Sequence, residues 1–258
     1  DKAAWDAGER PEFDSLEQVI VMTTRPELLG ACVALMVNPE DEAAYQGKVA
    51  VSPLFNVVVP ICADEKVDKE KGTGFVMCCS WGDDTDKEWI MKHELAWRPL
   101  IRTNGTLGIT PIFSGKEVPP DEARNPNYFD IGFYAGREVN NNASIISDSN
   151  CFDKNRTFEY FEKLEGTKLI RDTKNENSAK GIALKMLEEA GLLRKTERSD
   201  DLIIKKVQTV KCAERSGKPI EIIPTYQWFV KIVDKKDELK AKAAEVTRSP
   251  EFMKVRHD

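Results

Sequence analysis

Short runs of hydrophobic residues, most of them rich in β-branched side chains, dominate the first part of the chain. Pro, Gly or Asn bounds these runs, a pattern that predicts β-strands. Several runs are continuous rather than alternating, which favours strands that are covered on both faces or closed into a barrel. The predicted strands are 19–22, 32–37, 48–51, 57–61 and 75–79, and strand character returns at 202–204 and 220–223.

Three other stretches have the pattern of helices. Acidic residues lead into the segment 84–95, as the N-terminus of a helix prefers. The segment 178–190 places its apolar residues on one face, and Gly191 follows it as a stop signal. The segment 235–246 is highly charged and is expected to lie on the surface. The stretch 103–150 is rich in Gly, Pro and Asn, which predicts a loop-rich excursion or an irregular cover for the strands.

These elements predict an α+β fold that is mainly β, with a β-barrel core of short strands and peripheral helices. Residues 1–200 are expected to form the core domain, which includes the excursion 103–150 and the helices within 155–195. The remaining residues, 201–258, form a separate C-terminal segment in this interpretation.

The composition and charge of the chain argue against several classes of protein. Of 258 residues, 41% are hydrophobic and 32% are charged, with a net charge of −6, which excludes disorder as the dominant state. The negative charge argues against a protein that acts by attraction to phosphates alone. The longest uncharged run, 49–63, is interrupted by Pro and Asn, so no membrane span is predicted. The N-terminus has neither a signal pattern nor an initiator Met, which indicates a cytoplasmic protein and a fragment of a longer chain.

Cysteines and histidines supply little catalytic material. The six cysteines contain no C-x-x-C pair, so they predict no zinc site and are expected to be reduced and structural. The only two histidines are His93 and His257, so the sequence argues against a histidine-based hydrolytic triad. His93 lies in a charged helical stretch and is interpreted as a solvated residue rather than as a base.

The first candidate site is Thr23-Thr24-Arg25-Pro26-Glu27, directly after a predicted strand. Pro26 fixes one backbone dihedral angle and biases Arg25 toward an extended conformation. Two hydroxyls, a guanidinium and a carboxylate therefore crowd the end of the strand. A structural interpretation competes, in which a Thr caps the start of a helix and Glu27 lies in its first turn.

The second candidate combines Gly72-Thr73-Gly74 with the acidic segment Gly82-Asp83-Asp84-Thr85-Asp86. No P-loop or dinucleotide fingerprint is present, so the isolated G-x-G motif is weak evidence for phosphate binding. Three carboxylates at a helix N-terminus stay ionised and could bind a divalent cation or a substrate ammonium, and helix capping competes with both. A third candidate, Pro224-Thr225-Tyr226-Gln227-Trp228-Phe229, could stack on a base, although packing in a strand core is the commoner explanation.

Taken in order, these segments resemble the connective-peptide editing domain that is inserted in the class I aminoacyl-tRNA synthetases for valine, isoleucine and leucine. Within this family they are most similar to valyl-tRNA synthetases of the archaeal type. The resemblance is carried by Thr23-Thr24-Arg25-Pro26-Glu27, Asn38-Pro39-Glu40-Asp41, Gly72-Thr73-Gly74-Phe75-Val76, Gly82-Asp83-Asp84-Thr85-Asp86, Arg215-Ser216-Gly217-Lys218-Pro219-Ile220-Glu221 and Gln227-Trp228-Phe229.

The resemblance implies hydrolytic proofreading of mischarged tRNA, namely deacylation of threonyl-tRNA(Val), with removal of valine from tRNA(Ile) by an isoleucyl enzyme as the alternative. The H-I-G-H and K-M-S-K-S signatures of the catalytic domain are absent from the sequence, so no aminoacylation is expected. The implied partners are the 3′ end of a tRNA and the rest of the synthetase in cis, toward which 201–258 returns. Editing is expected to need no cofactor and no metal, since ATP and Mg²⁺ belong to the catalytic domain.

By its position in the motif, Asp86 matches the aspartate that pairs with the α-ammonium of the mischarged residue. Asp83 matches an acidic residue near the side-chain hydroxyl. Thr23, Thr24 and Arg25 match the peptide that lines the ester and the terminal adenosine, where a positioned water attacks. Asp86, Thr23 and Thr24 are thus the predicted catalytic residues, and the predicted substrate-binding residues are Arg25, Asp83, Glu27, Met77, Cys79 and Gly74.

The chain departs from the family pattern at several of these positions. Met77 and Cys79 stand where bacterial valyl enzymes usually have Lys and Thr, and Leu28 replaces a frequent Thr. Recognition of the hydroxyl must therefore rest more on Asp83 or on backbone groups. Two other functions stay open: a metal-dependent hydrolase that uses Asp83, Asp84 and Asp86, and a non-enzymatic RNA-docking module whose acidic loop only caps a helix.

Overall fold

The computed structural model of this chain describes residues 1–9, 11–12, 15–95, 98–102, 104–108, 154–169, 175–195, 203, 209–223 and 235–248. The chain divides into two compact units, Asp1–Ile223 and Pro224–Asp258. In the first unit the α-helices are α1 (Lys2–Asp6), α2 (Glu42–Tyr45), α3 (Asp84–Lys92), α4 (Lys154–Leu164) and α5 (Ala179–Glu189). The strands are β1 (Cys32–Val37), β2 (Val49–Val51), β3 (Val58–Ala63) and β4 (Val76–Cys79), and Pro26–Ala31 and Pro39–Asp41 are 3₁₀ helices.

The four strands form one mixed sheet in the order β2-β3-β1-β4. The central strand β1 runs parallel to β3, with Leu35 opposite Ile61, and antiparallel to β4, with Leu35 opposite Met77. Strand β2 is antiparallel to β3. Within the described ranges β2 and β4 are the two edges and do not pair with each other, so the predicted β-barrel is wrong for this part of the chain.

The continuous apolar run of β1 reflects a sheet that is covered on both faces, which the sequence pattern also allowed. All six residues of β1 are buried. One large apolar cluster includes Cys32 and side chains of α4 and α5, such as Phe161 and Met186. A second cluster includes Met36 and side chains of α3, such as Trp89. Helices and loops therefore bury the apolar surface that closure of a barrel would otherwise hide.

The strand predictions for 32–37, 48–51, 57–61 and 75–79 are confirmed with small shifts of their ends. The predicted strands at 19–22 and 220–223 are wrong, because both segments are irregular and Val19, Ile20, Met22 and Ile220 are exposed. Their β-branched composition carries strand propensity, but neither segment joins a sheet in the described residues. Ile220 N–H only donates to the carbonyl oxygen of Lys211, beside the isolated bridge between Cys212 and Pro219. The predicted excursion at 103–150 and the strand at 202–204 lie almost entirely outside the described residues.

All three predicted helices are present. Helix α3 is shorter than expected, because His93 is its C-cap and Glu94 adopts a positive φ of 51°. The N-cap of α5 is Ser178, whose hydroxyl accepts a hydrogen bond from Gly181 N–H, and Gly191 with φ 64° follows the helix as predicted. In the second unit, α6 (Lys236–Arg248) is exposed along its described length. None of the helices in the described ranges has the length and apolar character needed to cross a membrane.

Candidate functional site

The acidic segment forms the start of α3, immediately after the edge strand β4. Asp83 is the N-cap, and its carboxylate accepts a hydrogen bond from Asp86 N–H at 2.9 Å. In return, Asp86 Oδ2 accepts a hydrogen bond from Asp83 N–H at 3.1 Å, which completes a capping box. The structural alternative for this motif is thus confirmed, since two of its three carboxylates satisfy backbone donors at the helix start.

The carboxylate of Asp86 is also tied to the sheet. Its Oδ1 accepts a hydrogen bond from Cys79 N–H at 3.1 Å, and the residue is 8% exposed. Burial, followed by the nearby charge of Asp83, raises the pKa of Asp86 to about 7, although the two backbone donors lower it. A hydrogen bond from the Cys78 thiol also lowers the pKa. Asp86 is therefore a structural residue whose buried carboxylate has no cationic partner among these contacts.

Gly82 makes the position of Asp86 possible, a role that the motif pattern does not indicate. A Cβ atom at position 82 would collide with Asp86 Oδ2 and would lie 3.5 Å from Cys79 Cβ. The carboxylate thus occupies space that any side chain at position 82 would fill. The backbone φ of Gly82 is not positive, so the glycine is required for close approach rather than for its conformational freedom.

The Thr-Thr-Arg-Pro-Glu peptide enters a 3₁₀ helix rather than a Thr-capped α-helix. Arg25 is the N-cap residue, with Pro26 at the first helical position and Glu27 in the first turn. Thr23 Oγ1 accepts a hydrogen bond from Arg25 N–H at 3.0 Å, so its hydroxyl supports a local turn before the helix. The predicted Thr cap is wrong, because Pro26 sets the helix start one residue later than a Thr24 cap would require. Both threonines are exposed.

The side chain of Arg25 joins this peptide to two distant segments. Its Nη1 donates to the carbonyl oxygen of Gly82 at 3.2 Å and to Glu221 Oε2 at 2.8 Å, and its Nε donates to Glu27 Oε1 at 3.2 Å. Burial lowers the pKa of the Arg25 guanidinium, but the charges of Glu221 and Glu27 outweigh it and raise the pKa above its usual value. Arg25 thus brings together three of the segments on which the resemblance rests.

Glu27 has one carboxylate oxygen that is buried without a partner. The residue is 6% exposed, and Oε2 accepts no hydrogen bond from the residues that the structure describes. A buried acceptor without a donor costs about 1–3 kcal/mol. This oxygen therefore remains available to a donor beside Arg25.

The three other predicted substrate-binding residues have backbone or core roles. Met77 is half-buried in β4, opposite Leu35, and Cys79 is buried at the end of the same strand. Burial, followed by the charge of Cys32, raises the pKa of the Cys79 thiol well above its usual value, so it is not a nucleophile. Gly74 has a φ of 79° in the turn before β4. The backbone N–H group of Cys79 donates a hydrogen bond to Asp86. The side chain of Met77 takes no part in the hydrogen-bonded cluster around Asp86.

Two lysines that contact this region lie outside the motifs that the sequence indicates. Lys180, in the first turn of α5, donates from Nζ to the carbonyl oxygen of Thr24 at 2.8 Å. Lys211 pairs with Asp84, and this hydrogen bond lowers the pKa of the Asp84 carboxyl group. Pairings between residues more than a hundred positions apart have no periodicity or spacing by which the sequence could reveal them.

These pairings bear on the metal-dependent alternative. The carboxylate of Asp83 caps a helix, that of Asp84 pairs with Lys211, and that of Asp86 accepts two backbone hydrogen bonds. In the part of the chain that the structure describes, no group of three His, Cys, Asp or Glu side chains is placed to hold a metal ion. The arrangement of these carboxylates therefore does not favour a metal-dependent hydrolase.

The described cysteines are free thiols, and Cys32, Cys78 and Cys79 are buried, as expected for structural residues. Cys151 lies outside the described residues. His93 is half-buried, and its Nε2 lies 3.1 Å from Asp64 Oδ2, so it is a partner of a buried carboxylate rather than a solvated residue. His257 lies outside the described residues.

No model of a known protein family matches the chain. The chain is similar to valine–tRNA ligases, at 35% identity over 252 residues for Wolbachia pipientis wMel, 33% over 240 residues for Rickettsia felis and 34% over 243 residues for Rickettsia prowazekii. These alignments cover 92–93% of this chain but 21–27% of the relatives, so the chain spans about a quarter of their length. The predicted resemblance to class I synthetases of the valyl type is confirmed.

Proposed function

We propose that this chain is the editing domain of a valyl-type class I tRNA synthetase, and that it hydrolyses the ester between a wrongly attached threonine and tRNA(Val). The relatives compared above are named valine–tRNA ligases, which favours the valyl alternative over the isoleucyl one. In this proposal the chain acts as an aminoacyl-tRNA deacylase and does not itself attach amino acids.

The chemical need for such a site follows from the size of the substrates. A hydrophobic pocket rejects an isostere that carries a hydroxyl only weakly, and valyl-tRNA synthetases are the standard example, with about 10²-fold discrimination against threonine. A second site must therefore accept the hydroxyl and refuse the isopropyl group of valine. Refusal results when valine would leave buried polar groups without partners, at about 1–3 kcal/mol for each group.

One observation carries the proposal. The Arg25 guanidinium joins the Thr-Thr-Arg-Pro-Glu peptide to Gly82, at the start of the acidic segment, and to Glu221. Three motifs that are spread over 196 positions of the chain thus converge on one side chain. Asp86 lies in the same cluster, because its carboxylate is packed against Gly82. Convergence of this kind supports a binding site that was assembled from these motifs, rather than three unrelated structural features.

Each residue then has a physical role in the reaction. Asp86 binds the α-ammonium of the amino acid, and the arriving positive charge favours the ionised form of a carboxyl group whose pKa is about 7. Thr23 and Thr24 offer exposed hydroxyls to the ester and to the terminal adenosine. In this proposal Asp83 interacts with the side-chain hydroxyl of the attached threonine. Glu27 Oε2 is a further acceptor beside Arg25. A water molecule that these groups orient attacks the ester, without a protein nucleophile.

The partners follow from the same proposal. The substrate is the 3′ end of a tRNA that carries a noncognate amino acid, and the remainder of the synthetase acts in cis, in the cytoplasm. The reaction requires no cofactor, because a carboxylate and oriented hydroxyls suffice to hold the ester and the water. With a net charge of −6, the chain is expected to bind tRNA weakly by itself and to rely on the rest of the enzyme for affinity.

The test is a deacylation assay of this chain with threonyl-tRNA(Val) and valyl-tRNA(Val), with and without EDTA. Selective loss of the threonyl ester in the presence of EDTA is the expected result. Asp86→Asn should reduce the rate by about 30-fold or more, since loss of the partner of a buried charge costs about 2–5 kcal/mol. Thermal unfolding of the variant must be measured in parallel, because Asp86 also accepts two backbone hydrogen bonds.

Asp84→Asn is the matched control. Asp84 is another carboxylate in the first turn of the same helix, but it pairs with Lys211 and has no role in the proposed editing reaction. Its replacement should leave the selectivity unchanged. Equal stability of both esters with the wild-type chain would remove the proposal, activity that EDTA abolishes would favour the metal-dependent hydrolase, and selective hydrolysis of valyl-tRNA(Ile) would favour the isoleucyl alternative.

A further inference from the structure

The Thr-Thr-Arg peptide contains no regular secondary structure that would fix its position. Residues 17–24 are irregular, and Thr23 and Thr24 are exposed. The hydrogen bond from Arg25 N–H to Thr23 Oγ1 is local and does not relate the peptide to the rest of the molecule. A catalytic peptide must nevertheless be held within a fraction of an ångström of the reacting ester. Contacts from other segments must therefore supply this order.

The contacts that do so come from three other parts of the chain. Lys180 holds the carbonyl oxygen of Thr24, and the Gly82 carbonyl oxygen and Glu221 both accept from Arg25 Nη1. Glu27 also pairs with Arg25, but it lies only two positions away and moves with the same peptide. Among the carboxylates that the structure describes, Glu221 is the one that links Arg25 to a distant segment.

The Arg25–Glu221 pair is stronger than an ordinary surface ion pair. The two atoms lie 2.8 Å apart, and the side chains are 21% and 16% exposed, so water screens the interaction only in part. Glu27 Oε1 approaches the same guanidinium at 3.2 Å from Nε. With carboxylates on two edges and the Gly82 carbonyl on Nη1, the guanidinium plane is fixed in orientation.

We propose that Glu221 is a positioning residue for the editing reaction: it holds Arg25 against the Gly82 carbonyl and thereby fixes the Thr23–Thr24 hydroxyls relative to Asp86. This inference rests on the proposed function, because the editing reaction is the one in which the peptide acts. The ordering of the peptide by Glu221 is a property of the fold and does not depend on that reaction. Glu221 lies in the segment that follows the turn at 214–216, so a residue far from the acidic motif controls the geometry of the site.

The test compares Glu221→Gln with Glu214→Gln in this chain. Gln keeps the shape of the side chain and removes its charge, and Glu214 is an exposed glutamate in the turn that precedes the segment of Glu221. Hydrogen–deuterium exchange of the backbone amides at 23–31 is the first readout, because it needs no substrate. Glu221→Gln should raise exchange in this peptide several-fold, whereas Glu214→Gln should leave it unchanged. Equal exchange in the wild type and Glu221→Gln would overturn the inference.

The second readout is single-turnover deacylation of threonyl-tRNA(Val) at increasing concentrations of the chain. Glu221→Gln should lower the maximal rate constant by about tenfold to a hundredfold, as misplaced groups do, with less than about a twofold change in the half-saturating concentration. In an Arg25→Gln background the same substitution should cost less than about twofold, because its effect passes through Arg25. Losses that multiply in the double variant would overturn the inference. A wild-type chain without deacylase activity would refute the proposed function, and the exchange data alone would then decide whether Glu221 orders the peptide.

Discussion

At the residue scale, the Asp86 carboxylate serves the fold and the proposed chemistry at once. Two backbone N–H groups hold it in place, and burial raises its pKa to about 7. A buried carboxylate that is poorly stabilised as an anion is costly for the fold, and such perturbed groups occur most often at functional sites. An ammonium ion beside it would supply the missing positive charge.

The raised pKa of Asp86 predicts how stability depends on pH. The folded state holds the proton up to a pKa of about 7, whereas an unfolded Asp releases it near 3.9, so ionisation of Asp86 opposes folding as the pH rises between these values. The difference in unfolding free energy between the wild type and Asp86→Asn should therefore fall from pH 4 to pH 7, by up to about 4 kcal/mol, and stay flat above that. Urea unfolding at four pH values measures it. A difference that does not change with pH would contradict the assignment.

At the element scale, local signals predicted the helices better than the sheet. The start and end of α5 followed from Ser178 and Gly191, because caps depend on neighbours within one turn. The run 32–37 was correctly predicted as a strand, but its partners were not, because pairing of β1 with β3 and β4 joins residues that are far apart in sequence. The barrel prediction rests on burial of both faces of the strands, and helices and loops that pack against an open sheet also bury its strands.

Helix α3 is anchored at its C-terminal end by Asp64, the residue that follows β3. Asp64 is 3% exposed, and its Oδ2 accepts from Lys92 Nζ at 2.7 Å and lies 3.1 Å from His93 Nε2. Burial raises the pKa of Asp64, but hydrogen bonds, first from Lys92 and then from the Lys66 N–H group, outweigh it and hold the pKa well below its usual range. This anchor fixes the direction of the helix whose first turn carries Asp86.

Asp64→Asn should destabilise the fold by about 1–3 kcal/mol at pH 7, because it leaves the donors around the carboxylate with a weaker acceptor. Since the folded pKa is lowered, the contribution of Asp64 is present above the unfolded value near 3.9 and is lost as the pH falls below it. The cost of the substitution should therefore shrink toward pH 3. Chemical unfolding of this variant beside Glu65→Gln, an exposed neighbour, measures the effect. Equal effects of the two substitutions would exclude the anchor.

At the scale of the whole molecule, the candidate site depends on contacts that no local motif encodes. Motif order predicted Arg25, Asp83 and Asp86, since each lies in a recognisable peptide. The pairing of Arg25 with Glu221 spans 196 positions, and the Lys180 contact with Thr24 spans 156. The sequence does not reveal the space requirement at Gly82 either, because a glycine in a loop has many possible causes. The sequence thus named the chemical groups, and the fold shows which of them are held together.

Binding of a stable substrate analogue tests most directly whether Asp86 holds the α-ammonium. The ligand is threonine joined to adenosine through an amide that replaces the ester on the ribose, and its partner is the same compound with the α-amino group replaced by hydrogen. Calorimetric titration of the wild type and Asp86→Asn should give a loss of about 30-fold or more for the amine ligand and less than about threefold for the ligand without it. Equal losses for the two ligands, or no loss for either, would contradict the proposed role of Asp86.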